Sequence, residues 1–401
     1  MREQMWQRFS ARDDRTGPER QQDGRRARVT AAAAVAVGVM TVSAALVPPA
    51  ASAAARPDAV QQGLNALVHT DGLPAALASV RGRDGRTRTY TAGVGNLATG
   101  AKVPVDGQVR IGSNTKTFTA VVVLQLVGEG KIGLDEPIET YLPGLVRGDG
   151  IDGRHITVRQ ILQHTSGIPD YEGYLDEAGL QHRYFDPRDL LDIALQHKAD
   201  FAPGTGFNYS STNYVLAGLI VQKVTGRPLA EEIDQRVIKR IGLRHTYFPV
   251  PGDRTIREAH PQGYRRDSAG GPLLDFTEMD PSAGWAAGEL ISTNSDLDQF
   301  FTALLAGRLL PAAQLAQMRT TVPIGNTGAG YGLGLISRPL SCGGVYWGHG
   351  GDIPGYETRG GATDDGRAAD IAVTDIPNDP AGTHHVERLV DTALCGLDHA
   401  S

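Results

Sequence analysis

Ile111-Gly112-Ser113-Asn114-Thr115-Lys116 opens an apolar run that continues from Phe118 to Val127. A serine at a helix start lies beside unpaired backbone N–H groups and the positive end of the helix dipole. A lysine three residues on projects from the same face, one turn above. An amine so placed can take the serine proton, and a backbone N–H is left to receive the oxyanion formed at a carbonyl. The helix is apolar almost all round, so it should be central and buried, and burial lowers a lysine pKa towards the range a general base needs. Fifteen Ser and six Lys in 401 residues give roughly 0.2 chance matches to Ser-x-x-Lys, and Ser113 with Lys116 is the only match present. The bland alternative is an N-cap serine beside a surface lysine, which the preceding Gly112 and the apolar helix disfavour.

Outward from this segment, strand patterns collect at the two ends of the chain and helical patterns between them. Asp58–Val68 has the spacing of an amphipathic helix. Segments 75–82 and 87–93 read as strands joined by an Asp84-Gly85 turn. Segments 331–338, 344–349, 356–362 and 368–376 read as strands, and 383–395 as a closing helix. In the middle, Asp186-Pro187 starts a helix, Asn213–Val224 is a helix stopped by Gly226, and Ser295 caps another that ends at Gly307. The expected fold is α/β (α+β): one antiparallel sheet built from both ends of the chain, flanked by helices, with a mostly helical domain inserted. The expected boundaries are 56–112 plus 328–401 for the sheet domain and 113–327 for the insertion, after a leader at 1–55.

Two later motifs join the first. Tyr209-Ser210-Ser211 precedes the helix at Asn213, and Trp347-Gly348-His349-Gly350-Gly351 lies on a strand. Together with Ser113 and Lys116 they resemble the three-motif signature of the penicillin-recognising serine hydrolases. The branch is the one holding class C β-lactamases, serine D-alanyl-D-alanine carboxypeptidases and related esterases. Gln163-His164-Thr165-Ser166-Gly167-Ile168-Pro169, Tyr331-Gly332-Leu333-Gly334-Leu335 and Leu340-Ser341-Cys342-Gly343 extend the likeness. It is greatest to the secreted actinomycete carboxypeptidases and covers essentially the whole chain after the leader. The resemblance implies a β-lactamase/transpeptidase-like fold with Ser113 as acylated nucleophile and Lys116 as its base. It makes Tyr209 a proton relay to the leaving group, its phenolate needing a cation such as Lys116 or His349. His349 would help set the charge of the site. The oxyanion donors would be the backbone N–H groups of Ser113 and Asp352.

The departures bear on substrate. Ser211 stands where the family usually has Asn, with one donor where an amide has two, and Asn213 is a candidate to compensate. Gly350 replaces a Thr or Ser whose hydroxyl helps hold a substrate carboxylate, and Asp352 replaces a further Thr. Arg338, and also Arg359, are candidate counter-ions for that carboxylate. Gly351 completes the third motif, and Trp285 either walls the cleft or fills the core. The leading expectation is a D-alanyl-D-alanine carboxypeptidase acting on cell-wall-type peptides. A β-lactamase-like carboxylesterase or a β-lactamase is the enzymatic alternative, and a penicillin-capturing protein with impaired turnover the non-enzymatic one.

Charge and cysteines bound the setting. The formal charge is −6, and residues 1–55 carry eight Arg against five Asp and Glu, so the remainder is more acidic still. Such a body lacks the clustered basic residues that nucleic acid requires. The leader reads as an export signal: Arg25, Arg26 and Arg28, an apolar run from Val29 to Val47, then Ala51-Ser52-Ala53 as a cleavage site. A retained membrane helix is the weaker reading, the run being Ala-rich and followed by Pro48-Pro49. A secreted, extracytoplasmic monomer without a stable membrane anchor is expected. In that compartment Cys342 and Cys395 would pair, the alternative being two buried thiols. No cofactor and no metal site is expected, His384-His385 reading as surface histidines.

Overall fold

The Asp84-Gly85 turn joins two strands, β1 (Ala75–Arg81) and β2 (Thr87–Gly93), paired antiparallel from Ala75↔Gly93 to Arg81↔Thr87. This computed structural model describes residues 58–175, 179–268, 271–376 and 380–397. The leader at 1–55, with its arginines, apolar run and cleavage site, lies outside the described residues. Six more strands come from the other end of the chain: β3 (Val322–Pro323), β4 (Gly330–Tyr331), β5 (Ile336–Pro339), β6 (Val345–Ile353), β7 (Tyr356–Ala362) and β8 (Ala368–Val373). The sheet order is β2-β1-β8-β7-β6-β5-β4-β3, all neighbours antiparallel, so the two ends of the chain meet at the β1–β8 pair. The protein thus has the mixed α/β, β-lactamase/transpeptidase-like fold, its antiparallel sheet made from both chain ends and its helical region between.

Three elements differ from the sequence expectation. The 331–338 strand is two strands: Tyr331 pairs with Ile336, and Gly332–Leu335 forms the reversal between them. The 344–349 strand continues to Ile353, because β7 supplies partners beyond the point where β5 ends at Gly348. Asp352 is therefore a strand residue. The cap expected of Ser295 is made by Thr293, whose hydroxyl accepts from Asp296 N; Ser295 bonds Asp106 instead.

The helices used below are α1 (Ala59–His69), α2 (Thr115–Gly128), α3 (Pro187–Leu195), α4 (Ser211–Thr225), α5 (Asn294–Leu305) and α6 (Pro380–Gly396). Strand alternation gives the sheet two apolar faces. One carries Ala76, Ala78, Val80, Ile371 and Val373, packed on Leu64 and Leu67 of α1 and Val386 and Val390 of α6. The other carries Leu77, Ala368 and Ala372 and joins the core of the helical region. Every residue of α2 from Thr115 to Leu126 is buried, so this helix is the axis of that region. Each fully buried Val or Leu side chain contributes about 1.5–3 kcal/mol, which fixes α2 in the middle of the helical region.

Two polar features lie in these layers. Cys342, in the β5–β6 turn, is disulfide-bonded to Cys395 on α6 across 53 positions, a cross-link worth about 4 kcal/mol in the chain-entropy model. Between α5 and the sheet the carboxyls of Asp298 and Asp370 are buried together, with Ser79 donating to Asp298 at 2.5 Å. Burial raises both well above the carboxylate range; the Asp298 charge raises Asp370 further, while hydrogen bonds from Ser79 and Asp370 oppose the rise at Asp298.

Candidate active site

A short 3-10 turn, Gly112–Asn114, delivers the chain into α2. Gly112 has φ +48°, and a Cβ there would lie 3.0 Å from the backbone N of Asp352 on β6. A Cβ on Gly351 would meet the Ile111 carbonyl oxygen at 1.9 Å. Glycine at both positions is what allows the nucleophile turn and β6 to touch. The contact is tied by Asn114, whose amide donates to Thr358 Oγ1 at 2.8 Å. The two backbone groups expected to receive an oxyanion, those of Ser113 and Asp352, consequently lie on adjoining pieces of chain.

Ser113 is partly exposed and Lys116 is fully buried beneath it. The lysine Nζ is 3.0 Å from Ser113 Oγ, 3.1 Å from Ser211 Oγ and 3.0 Å from the Ala287 carbonyl oxygen. Burial lowers its pKa to about 8, opposed by the charges of Glu172, Asp170 and Asp352. An amine near neutrality, within hydrogen-bond reach of a serine hydroxyl, is an activated nucleophile pair.

Tyr209 hydrogen-bonds Ser113, and its ring lies 4.7 Å from Lys116 Nζ. Burial pushes the phenol well above its ordinary value, so Tyr209 stays protonated in the resting site. The cation expected from His349 is absent, for a directional reason. His164 Nδ1 accepts the Ser210 backbone N–H at 3.1 Å, so its proton is on Nε2, 3.0 Å from Tyr331 Oη. The His349 Nδ1–H donates to the Gly350 carbonyl at 2.6 Å, which leaves Nε2 to accept from Tyr331 Oη at 3.0 Å. The chain His164→Tyr331→His349→Gly350 therefore runs one way with both imidazoles neutral. Burial, helped by Lys116, lowers His349 to about 3 and His164 well below its usual range.

The expected substrate-binding residues separate. Ser211 is buried: its hydroxyl accepts from Lys116 and its N–H donates to Asp170 at 3.2 Å, so it positions the base. Asn213 turns inward to Ser166 and His164, because two further residues of helix carry it to the opposite side. Trp285 lays its ring against Gly218 of α4, in the helical core. Arg338 pairs with Glu387 of α6 at 3.0 Å. The registers Arg338↔Tyr346 and Gly350↔Arg359 put both arginines on the α6 face of the sheet, while His349 and Gly351 point to the other. Gly350 is overlaid by Arg359, whose Cδ and Nη1 would be 3.0 Å from a Cβ there. Arg359 is 3% exposed and holds Asp352 at 2.7 and 3.2 Å.

Sequence reading missed Tyr331, His164, Asp170 and Glu172 as parts of this site. Tyr331 and His164 stood in stretches quoted for the family likeness, the one signal that could have raised them. Nothing local marks Asp170 and Glu172, which come to Lys116 only through the packing of their turn against the start of α4. Ser113, Lys116 and Tyr209 are thus gathered at one place, with β6 alongside and a neutral imidazole behind. Such an arrangement can acylate a serine: base beneath, phenol beside the leaving group, and two N–H groups on adjoining backbone.

Comparison with known proteins agrees with this geometry. A family model described as Beta-lactamase matches residues 60–388. Curated relatives include a beta-lactamase of Pseudomonas fluorescens, 32% identical over 48% of this chain and 49% of that protein. Penicillin-binding protein 4* of Bacillus subtilis is 27% identical over 62% of this chain and 56% of that one. The chain thus spans about half the length of these curated relatives. A solved D-stereospecific amidohydrolase from Streptomyces sp. is 41% identical, covering 85% of this chain and 99% of that one at a TM-score of 0.77. The D-amino acid amidase from Ochrobactrum anthropi SV3, complexed with L-phenylalanine amide, is 27% identical, covering 85% and 98% at 0.74.

Proposed function

The chain belongs to the beta-lactamase family, the serine hydrolases that include penicillin-binding proteins, and from that premise we propose that it is a D-stereospecific amidohydrolase. Its substrates are amides of D-amino acids whose leaving group carries no carboxylate, with the corresponding esters as faster analogues. The observation that carries this reading is the commitment of both candidate counter-ions, Arg338 to Glu387 and Arg359 to Asp352, on the α6 face of the sheet. A substrate ending in a free carboxylate, as a D-Ala-D-Ala peptide does, would find neither of these arginines on the Ser113 face of the sheet. The acyl side is better matched by an ammonium group. Glu172 lies near enough to raise the proton affinity of Lys116 and supplies a carboxylate on that flank, whereas burial keeps Asp170 protonated near neutral pH. The likeness to the Streptomyces amidohydrolase and the Ochrobactrum amidase supports the same substrate class.

In the proposed cycle Ser113 Oγ attacks the amide carbonyl while its proton passes to Lys116 Nζ. The oxyanion rests on the N–H groups of Ser113 and Asp352. The C–N bond then breaks, and the leaving nitrogen takes a proton from Tyr209, which Lys116 replenishes. Water hydrolyses the Ser113 ester by the reverse proton path. Residues 1–55, read as a leader, and the Cys342–Cys395 bond support work outside the cytoplasm. The test is a panel of D- and L-phenylalanine amide, D-alanine p-nitroanilide, a short-chain nitrophenyl ester and diacetyl-Lys-D-Ala-D-Ala. D-amide turnover with no D-Ala release from diacetyl-Lys-D-Ala-D-Ala is expected. Release of D-Ala from diacetyl-Lys-D-Ala-D-Ala with no amide turnover would reject this reading in favour of a D-alanyl-D-alanine carboxypeptidase.

A further inference from the structure

Arg359 occupies an unusual place for a buried cation. Its guanidinium lies behind β6, on the face away from Ser113, and crosses the strand at Gly350. From there Nη1 donates to Asp352 Oδ1 at 2.7 Å, to the Thr358 carbonyl at 2.8 Å and to the Gly351 carbonyl at 3.4 Å. Nη2 donates to Asp352 Oδ2 at 3.2 Å and lies 3.2 Å from Glu357. Burial opposes the charge, but the carboxylates of Asp352 and Glu357 outweigh it and hold Arg359 protonated. On the front of the same three residues, Gly351 and Asp352 abut Ile111 and Gly112. The tripeptide Gly350-Gly351-Asp352 is therefore clamped between an arginine behind and the nucleophile turn in front.

We propose that Arg359 is a positioning residue for the oxyanion site. By gripping the Asp352 carboxylate and the flanking carbonyls, it fixes the height of the Asp352 N–H against the Gly112–Ser113 turn. The planar bidentate fork is what a lysine could not reproduce. Gly350 is the complementary half of the device, since a side chain there would displace the arginine. This places the loss of the family's hydroxyl at position 350 and the presence of Arg359 in one structural exchange. The inference rests on Ser113 being the acylated residue, and it is independent of which acyl donor is natural.

The experiment measures the second-order rate of Ser113 acylation by a fluorophosphonate, and kcat and KM for a nitrophenyl ester, in wild type, Arg359→Gln, Arg359→Lys, Asp352→Asn and Arg359→Gln/Asp352→Asn. Loss of a whole oxyanion donor costs about 10²–10³-fold, so a donor that is only displaced should cost roughly 10- to 100-fold. The expected result is that loss in kcat with KM little changed for both single variants. The double variant should be no worse than either, because the two side chains act through one ion pair. Arg359→Lys should recover only part of the rate. Wild-type acylation in folded Arg359→Gln, or effects that multiply in the double variant, would overturn the proposal. If Arg359→Gln fails to fold, Asp352→Asn decides alone, since its side chain is partly exposed and its backbone N–H is retained. A wild-type chain that no probe acylates would sink the serine-hydrolase cycle itself, and this proposal with it.

Discussion

The state of Lys116 sets a quantitative expectation for the pH dependence of acylation. Burial lowers its pKa to about 8, and the base must be a free amine to accept the Ser113 proton. With that value, roughly one molecule in a hundred carries the amine at pH 6, one in ten at pH 7 and nine in ten at pH 9. The acylation rate should therefore rise about tenfold from pH 6 to pH 7, keep rising through pH 8 and level off above pH 9. The perturbation is Asp170→Asn. Asparagine Oδ1 can still accept the Ser211 N–H that Asp170 now receives at 3.2 Å, so the start of α4 keeps its tether. Burial raises Asp170 itself to about 8, so its charge favours the lysine proton only around and above that pH, and its removal should raise the rate near pH 8 while leaving it nearly unchanged at pH 6. The assay is fluorophosphonate labelling of wild type and variant between pH 5.5 and 9.5, with thermal melts at each pH as a control. Fluorophosphonate carries no ionising group in this range, so the limb belongs to the enzyme. A flat profile, or a limb near pH 6.5 that Asp170→Asn leaves in place, would refute the assignment of Lys116 as the base.

Three further expectations follow from particular contacts. Gly351→Ala puts a methyl carbon 1.9 Å from the Ile111 carbonyl oxygen, so the strand and the nucleophile turn must part. Acylation should fall at least 100-fold, on the scale of a lost oxyanion donor, and a near-normal labelling rate would contradict the contact. Asp370→Asn removes one of two buried carboxyls whose pKa values are raised by burial. A raised folded value means stability is present at low pH and is lost as pH rises through it, at up to about 1.4 kcal/mol per pH unit. The variant should melt higher than wild type above neutral pH and show a flatter pH dependence of Tm; a parallel curve would argue against the pair. Glu172→Gln should raise KM for D-phenylalanine amide severalfold while leaving KM for N-acetylated esters unchanged, any change in kcat through Lys116 being common to both; equal KM effects on both would remove Glu172 from ammonium recognition.

Legibility in the sequence differed with the range of the physical signal. The hairpin at Asp84-Gly85, the Asp186-Pro187 start of α3 and the buried α2 were readable because each depends on local turn chemistry or periodicity. Ser113 and Lys116 were readable because i, i+3 spacing on a helix is itself a distance. The reversal at Gly332–Leu335 was hidden, since apolar residues continue through it and only the pairing of Tyr331 with Ile336 reveals it. The site's charge state was not readable at all. It depends on His349 sharing Tyr331 with His164, three residues from separate parts of the chain. The fate of Arg338 was equally invisible, because Glu387, its partner, arrives on the last helix.

The neutrality of His349, set first by burial and by its hydrogen bonds, suits the job given to Lys116. The lysine charge adds to burial in disfavouring imidazolium at both His349 and His164. A fixed imidazolium would help bind an anionic substrate, and it would also depress the lysine further, weakening it as a proton acceptor. With both imidazoles neutral and Tyr209 protonated, the proton leaving Ser113 creates the ammonium at Lys116 at the moment the oxyanion forms beside it. The two charges arise as a pair inside a buried site, where their attraction is screened far less than in water. Asp352, a carboxylate whose own backbone borders the oxyanion site, would oppose that charge if left unpaired. Arg359 cancels it from behind the strand, at 2.7 Å. The arginine that cannot reach a substrate carboxylate is for that reason able to protect the developing oxyanion.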